Sequence, residues 1–229
     1  MCIRDSSDGT ELKGISESIT DITRNPDCKI YRLTDEIVNA VVRCRSITHR
    51  LLYFSSRMEP SKEAMDLNEL IREVLRVLNN SFLERQARVD LDLAEDLPLL
   101  HGDRGLLQQA LFNIFNNAVE AIPVKGKILV STRMESVKTE DLEQLEGSGT
   151  VFVINIEDNG EGISRENLEH IFEPFYTTRM GYGTGLGLSI TYSIIQKQGG
   201  RIRVQSELGK GTNFIICLPK RTIPTRAMP

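Results

Sequence analysis

Cysteine and histidine are both scarce in this sequence. The 229 residues include three histidines and four cysteines, and Cys2, Cys28, Cys44 and Cys217 form no CxxC pair. The scattered cysteines and the small number of histidines argue against both a disulfide framework and a structural zinc site. This usage is typical of a reducing compartment, so we predict a cytoplasmic chain.

Long apolar runs and an excess of one charge are also missing. No apolar run approaches the roughly 18 residues that a membrane-spanning helix needs, and the first residues show no signal-peptide pattern. We therefore expect no membrane contact by this chain. A formal net charge of −4 gives no basic footprint, so we expect no nucleic-acid partner. With 40% hydrophobic residues, the chain can build a core in one domain, or in one domain plus a smaller element.

The usual phosphate-binding loops are absent, although glycines are dense between 181 and 187. The segment GYGTGLGLSI has glycine at every second position and then becomes apolar. It contains no Walker-type P-loop, and position 188 is leucine where a dinucleotide fingerprint would need a third glycine. Such a density of glycine indicates backbone that adopts positive φ angles or approaches another group closely.

A heptad pattern is present before residue 60. Apolar residues spaced alternately by four and three predict a long helix of a coiled coil or bundle at 30–59, ending before Pro60. One helix cannot bury such a seam alone, so we expect a partner to cover it. Residues 1–29 are predicted to be a disordered or truncated upstream segment. The seam consists of Leu33, Ile37, Ala40, Cys44, Ile47, Leu51 and Phe54.

Residues 66–220 mix helical and strand patterns without regular βαβ repetition, which favours an α+β sandwich over a doubly wound sheet. Asp66 and Asp103 are placed to cap helices, and Gly199 with Gly200 to end one. Residues 221–229 are predicted to be a flexible tail. The predicted helices are 67–84, 104–122 and 188–198, and the predicted strands are 89–93, 127–134, 150–157, 201–207 and 212–219.

Three segments carry polar residues that ordinary helices and strands do not need. Asn113 and Asn117 lie one turn apart on one face of the 104–122 helix, although asparagine is a poor helix former. Asp158 closes an apolar strand face, where a carboxylate needs a donor such as the exocyclic amine of adenine. In FEPFYTTR, aromatic residues precede Arg179, which could reach a phosphate from a mobile flap. Each segment alone also has a purely structural interpretation. The asparagines fit a polar helix edge, the residues after Asp158 fit a turn, and FEPFYTTR fits a loop packed on the core.

In their order and spacing these segments resemble the N, G1, F and G2 boxes of sensor histidine kinase catalytic domains. The boxes stand here as NIFNNAVEAI, DNGEG, FEPFYTTR and GTGLGL, and Gly209-x-Gly211-Thr212 is similar to a closing G3 element. The nitrogen-regulatory type is especially similar, because NAxEA and FEPFxTT also recur there. The match covers 66–220, and RCRSITHRLLYFSSR resembles the second helix of the dimerisation hairpin.

The resemblance implies the Bergerat fold of the GHKL superfamily, a mixed sheet with helices on one face that binds ATP and Mg²⁺. It implies that Asn117 holds Mg²⁺, that Asn113 supports the phosphate side, and that Asp158 reads the adenine amine. The resemblance also implies that the full-length protein forms a homodimer through its hairpin helices and that a membrane anchor is compatible with the family. It further implies that a response regulator receiver domain is a partner. Further nucleotide contacts are expected from Gly160, Gly162, Arg179, Gly183, Gly185, Leu186, Gly187 and Thr212.

The sequence departs from the family pattern at the phosphoacceptor. The family carries an acceptor histidine, usually followed by an acidic residue, and none of His49, His101 and His170 fits that pattern. We therefore expect the acceptor to lie upstream of residue 1, and we assign no catalytic residue in this chain. Two alternatives stay open: an ATPase of the same superfamily, and a nucleotide-binding or dimerisation module without phosphotransfer. Hydrolases of the superfamily place a glutamate at the position of Asn113, and an amide cannot take a proton from water.

Overall fold

The computed structural model describes residues 62–136, 149–178 and 184–220. The helix predicted at 30–59, the segments 1–29 and 221–229, and the residues Arg179 and Gly183 lie outside the described residues. The elements in chain order are β1 (Lys62–Met65), α1 (Leu67–Val77), α2 (Asn79–Glu84), β2 (Arg88–Leu93), β3 (Leu100–Asp103), α3 (Arg104–Ala121), β4 (Lys127–Ser136), β5 (Thr150–Asp158), α4 (Arg165–Leu168), α5 (Gly187–Lys197), β6 (Arg201–Glu207) and β7 (Gly211–Pro219).

A five-stranded mixed sheet forms one layer, in the order β2-β4-β5-β7-β6. β2 runs parallel to β4, and the other neighbours pair antiparallel. Alternate residues of β4 and β7, together with Ile154 and Ile156 on β5, are buried in a core that they form with α1, α3 and α5. The predicted α+β sandwich with a mixed sheet and helices on one face is therefore confirmed. No helix in the described ranges is both long and apolar enough to cross a bilayer.

The helix ends form as the capping residues predict. The Asp66 carboxylate accepts hydrogen bonds from two backbone N–H groups in the first turn of α1. Asp103 accepts from the backbone N–H of Leu106 at 3.0 Å and so opens α3. After α5, Gly199 adopts a left-handed φ of 71°, and the N–H groups of Gly199 and Gly200 bond back to carbonyls of the last turn. This is the Schellman arrangement that a glycine pair favours.

The structure differs from the predicted elements in three places, one of which is α4, a four-residue helix capped by Ser164 where no helix was predicted. The single helix predicted at 67–84 is two helices, because Leu78 leaves the helical region with φ −88° and ψ 4° and the chain bends into α2. The bend buries Leu78 and Phe82 in the core. β1 and β3 form a separate two-stranded antiparallel sheet that the sequence did not indicate, since each strand has only four residues and shows no clear alternation.

Candidate active site

Helix α3 carries the two asparagines on the edge of its buried stripe. Leu111, Ile114 and Ala118 are all buried in the core, and this stripe fixes the rotation of the helix. Asn113 is therefore held at 9% exposure, whereas Asn117, one turn later, is half-buried. No described residue forms a hydrogen bond with the side chain of Asn117. Two carboxamides thus stand on one face, one enclosed and one accessible.

Asn113 connects α3 to the first turn of α5. Its Nδ2 donates to the carbonyl oxygen of Gly187 at 3.2 Å and to Oγ1 of Thr191 at 3.4 Å. Leu186, at 9% exposure, precedes the helix as its N-cap residue. The structure therefore brings together three residues predicted for the nucleotide site, Asn113, Leu186 and Gly187. The N-terminus of an 11-residue helix, where backbone N–H groups can meet an anion, opens at this point.

Asp158 ends β5 on the buried face of the sheet, in line with Ile154 and Ile156. Its side chain is 4% exposed, and its Oδ1 accepts a hydrogen bond from the backbone N–H of Gly160 at 2.9 Å. In the sheet register Asp158 lies opposite Thr212 on β7. A buried carboxylate held by a backbone donor has a fixed orientation, which suits it to recognise a hydrogen-bond donor on a ligand.

The backbone after Asp158 passes between α3 and the turn that joins β6 to β7. A Cβ on Gly160 would lie 2.6 Å from the carbonyl oxygen of Ala121, and one on Gly162 would lie 2.1 Å from that of Glu207. Gly162 also has a left-handed φ of 69°. These two glycines are therefore required by close approach of protein backbone. Whether they also admit a nucleotide base stays a prediction.

A second close approach joins the two ends of the segment that contains Arg179 and Gly183. The N–H of Phe175 donates to the carbonyl oxygen of Gly185 at 2.9 Å, and a Cβ on Gly185 would meet the carbonyl carbon of Phe175 at 2.3 Å. Both residues have left-handed φ angles, 67° and 64°. Gly185 is thus fixed by this contact, while the roles predicted for Arg179 and Gly183 fall outside the described residues.

Sequence reasoning missed Ser206, which organises the Thr212 side of the site. Its hydroxyl donates to the carbonyl oxygen of Gly211 at 2.8 Å, accepts from the N–H of Ile163 at 2.8 Å, and lies 2.9 Å from Oγ1 of Thr212. Thr212 itself is 5% exposed. A serine in an amphipathic strand gives no signal of such a role, because its partners come from other segments of the chain.

His170, two residues before the FEPFYTTR segment, has a shifted pKa. Nδ1 of His170 lies 2.8 Å from Oε1 of Glu173, and the hydrogen bond that the protonated ring donates to this carboxylate, together with its negative charge, raises the pKa of His170. The imidazole also contacts the ring of Tyr176 in a tilted arrangement, with ring centroids 5.5 Å apart and an interplanar angle of 40°. Tyr176 in turn donates to Asn167 at 2.7 Å, so the pair belongs to a contact network at the base of the 172–185 segment.

The residues present suit ATP with a hard divalent cation. The accessible carboxamide oxygen of Asn117 is a ligand type that Mg²⁺ accepts, and Mg²⁺ in proteins usually takes few side-chain ligands besides phosphate and water. Asp158 offers a fixed acceptor at one end of α3, and the start of α5 offers backbone donors near Asn113. Together these groups can recognise a donor-bearing base and a polyphosphate.

Comparison with known proteins identifies the family. Residues 102–222 match the model described as histidine kinase-, DNA gyrase B- and HSP90-like ATPase. The chain is similar to sensor kinase CckA of Brucella abortus (strain 2308), with 38% identity over 190 residues that cover 81% of this chain and 20% of that protein. The nucleotide-free catalytic domain of histidine kinase ThkA is similar in structure, with a TM-score of 0.58 and 32% identity over 70% of this chain and 96% of that one. ThkA in complex with the response regulator protein TrrA gives a TM-score of 0.66 at 26% identity, covering 92% of this chain and 57% of that one.

The chain belongs to the family of histidine kinase-, DNA gyrase B- and HSP90-like ATPases. Within that family, its described domain is the ATP-binding catalytic domain of a sensor histidine kinase. The chain spans 20% of the length of sensor kinase CckA and 43% of the length of sporulation kinase C of Bacillus subtilis (strain 168), to which it is also similar.

Proposed function

We propose that this chain binds Mg²⁺-ATP and transfers the γ-phosphate to a histidine on a helical hairpin of a two-component sensor kinase. The observation that supports this most directly is the chemistry at position 113. Asn113 occupies the position where hydrolases of the superfamily place a glutamate, and its Nδ2 donates to the carbonyl of Gly187. A carboxamide cannot take a proton from an attacking water, so the site favours an external acceptor over hydrolysis.

Each end of the nucleotide has a proposed partner. Asp158, oriented by the N–H of Gly160, accepts from the adenine amine, and Thr212 lies beside it. Asn117 supplies an oxygen to Mg²⁺, which when bound offsets the charge of the phosphates. The N-terminus of α5 directs backbone N–H groups from Gly187 onward at the phosphates. We also propose that Arg179 and Gly183 contact the phosphates of the nucleotide.

The partners follow from the relatives and from the heptad pattern. ThkA has been solved with its response regulator TrrA, and we extend that kind of partner to this chain as the final receiver of the phosphoryl group. The seam predicted at 30–59 needs a covering helix, which we assign to the hairpin of a homodimer. We assign the acceptor histidine to that hairpin. In this proposal His49, His101 and His170 are not the acceptor.

The test is a transfer assay with a separately supplied acceptor. The chain is incubated with γ-labelled ATP and Mg²⁺, alone and with acceptor hairpins taken from related kinases. We expect alkali-stable, acid-labile label on a hairpin histidine, and its loss in Asn117→Ala but not in Asn116→Ala. Asn116 is the matched control because it stands beside Asn117 on α3 and donates instead to the exposed Glu120. Fast phosphate release without transfer would indicate an ATPase, and binding without either reaction would indicate a nucleotide-binding module.

A further inference from the structure

Thr191 forms a closed group with Asn113 and the first residue of α5. The side chain of Thr191 is fully buried, with 0% exposure. Its hydroxyl donates to the carbonyl oxygen of Gly187 at 2.9 Å, and Nδ2 of Asn113 approaches both that carbonyl, at 3.2 Å, and the hydroxyl oxygen, at 3.4 Å. Each of the three groups therefore contacts the other two.

This group determines which way the carboxamide of Asn113 points. A carbonyl oxygen can only accept, so the atom of Asn113 that faces Gly187 must be the nitrogen. The hydroxyl proton of Thr191 is committed to the same carbonyl, which leaves its oxygen as a second acceptor for Nδ2. No described residue donates to Oδ1 of Asn113. The oxygen is therefore the atom of this side chain that remains for a ligand.

We infer that Thr191 is a positioning residue for the nucleotide site. Its hydroxyl holds Asn113 so that Oδ1 is presented to the Mg²⁺-phosphate end of the nucleotide, while Nδ2 keeps α3 attached to the start of α5. The inference rests on the proposed nucleotide role of Asn113. Thr191 acts only through Asn113 and does not touch the ligand.

A double-mutant cycle tests this coupling. The affinity of the full chain for a non-hydrolysable ATP analogue with Mg²⁺ is measured by calorimetry in the wild type, Thr191→Val, Asn113→Ala and the double variant. Because one hydrogen bond contributes about 0.5–1.5 kcal/mol, Thr191→Val should weaken binding about 2- to 12-fold in the wild-type background. In the Asn113→Ala background the same change should have almost no effect, since the group it positions is gone.

Two further variants separate positioning from loss of a helix contact. Ser193 donates to the carbonyl of Ser189 at 3.0 Å, which is the same i to i−4 bond that Thr191 makes, but no contact joins it to Asn113. Ser193→Ala should therefore leave nucleotide affinity unchanged. Thr191→Ser keeps the hydroxyl and should retain wild-type affinity. Equal losses in Thr191→Val and Ser193→Ala would mean that both act through helix stability, and the inference would be wrong.

The outcomes for the two proposals are distinguishable. If Asn113→Ala binds the nucleotide as well as wild type, the proposed role of Asn113 fails. If Asn113→Ala weakens binding and Thr191→Val does not, only the positioning role fails.

A measurement on the unaltered chain covers the case in which Thr191→Val does not fold. The side-chain amide protons of Asn113 should be protected from exchange in NMR spectra, both without nucleotide and with the Mg²⁺-bound analogue. Release of these protons when the analogue binds would show that Asn113 loses its bonds to Gly187 and Thr191 in the bound state, and this would overturn the inference.

Discussion

Asn113 and Asn117 are chemically identical, yet their surroundings give them different tasks. The nitrogen of Asn113 is occupied by Gly187 and Thr191, so this residue joins two helices as well as facing the site. Asn117 is half-buried and forms no hydrogen bond with a described residue, so its whole carboxamide is available. A single helical turn thus separates a structural contact from a candidate cation ligand.

The first residue-scale prediction concerns Asn117. Asn117→Ala should remove most of the Mg²⁺-dependent binding of ATP, because the amide oxygen is one of few protein ligands offered to the ion. Calorimetry with Mg²⁺-ATP measures the effect, and Asn116→Ala, which removes the neighbouring asparagine that donates to Glu120, should bind normally. Unchanged affinity in Asn117→Ala would mean that the cation is held elsewhere.

The second prediction concerns base selection by Asp158. Asp158→Asn should weaken ATP and reduce the preference for ATP over GTP, because guanine presents a carbonyl where adenine presents its amine. An unpaired buried polar group costs about 1–3 kcal/mol, and that penalty against guanine should shrink in the variant. Competition binding of the two nucleotides measures the ratio. Equal weakening of both nucleotides would assign Asp158 a structural role, through its bond with the N–H of Gly160.

The third prediction concerns the charge of His170. Because Glu173 raises the pKa of His170, the protonated imidazole stabilises the folded state. That stabilisation is complete below the ordinary pKa of histidine and is lost as the pH rises through the raised, folded-state pKa. NMR titration should show the pKa of His170 falling in Glu173→Gln. An identical titration curve in that variant would show that the contact with Glu173 does not form in solution.

The segment after β5 and the turn beside it need glycine for two different reasons, a left-handed backbone and close approach of a carbonyl oxygen. Gly162 combines a left-handed φ of 69° with a Cβ position 2.1 Å from the carbonyl oxygen of Glu207. Gly209, in the adjoining β6–β7 turn, has a φ of 79° and no atom within 4 Å of its Cβ position. A side chain at Gly209 would therefore cause only backbone strain, whereas a side chain at Gly162 would cause both backbone strain and a steric clash.

The fourth prediction compares these two glycines. Gly209→Ala should lower the free energy of unfolding by about 1–2 kcal/mol, the cost of a left-handed alanine. Gly162→Ala should lower it by more and should also weaken ATP, because the backbone next to Asp158 must move away from Glu207. Chemical denaturation and calorimetry measure the two effects. Similar losses in both variants would show that the contact with Glu207 relaxes without cost.

The strands and helices with strong periodicity could be predicted from the sequence, while local contacts could not. β5 is an apolar run that ends at the turn residues after Asp158, α3 begins at the cap residue Asp103, and α5 ends at the glycine pair Gly199-Gly200, so their positions agree with prediction. The bend at Leu78 was missed because the helical pattern continues through it. β1 and β3 were missed because four residues are too few for a periodic signal.

The candidate site was only partly predictable for a similar reason. Asn113, Asn117 and Asp158 break the apolar pattern of their elements, and that conflict made them visible in the sequence. Thr191 and Ser206 do not conflict with α5 or β6, so only their contacts with distant segments show what they do. Pairings such as Asn113 with Thr191, 78 residues apart, are set by tertiary packing.

At the scale of the whole molecule, the described domain offers a nucleotide site without an evident acceptor. His101 lies on β3 opposite Ala64, in the small two-stranded sheet. His170 is held by Glu173 and Tyr176. The acceptor pattern of the resembled family, a histidine followed by an acidic residue, occurs at none of the three histidines.

The fifth prediction follows from this separation of donor and acceptor. Autophosphorylation needs a histidine presented to the γ-phosphate with a nearby group to take its proton. The chain alone should therefore bind ATP but form no acid-labile phosphohistidine, and any turnover should be slow hydrolysis, since Asn113 cannot activate water. Incubation with γ-labelled ATP followed by acid and alkali treatment measures this, with His49→Gln and His170→Gln variants alongside. Stoichiometric label on the wild type that disappears in His49→Gln would place the acceptor within 30–59 and refute the prediction that this segment is the second helix of the hairpin. Loss in His170→Gln would instead place the acceptor at the base of the 172–185 segment.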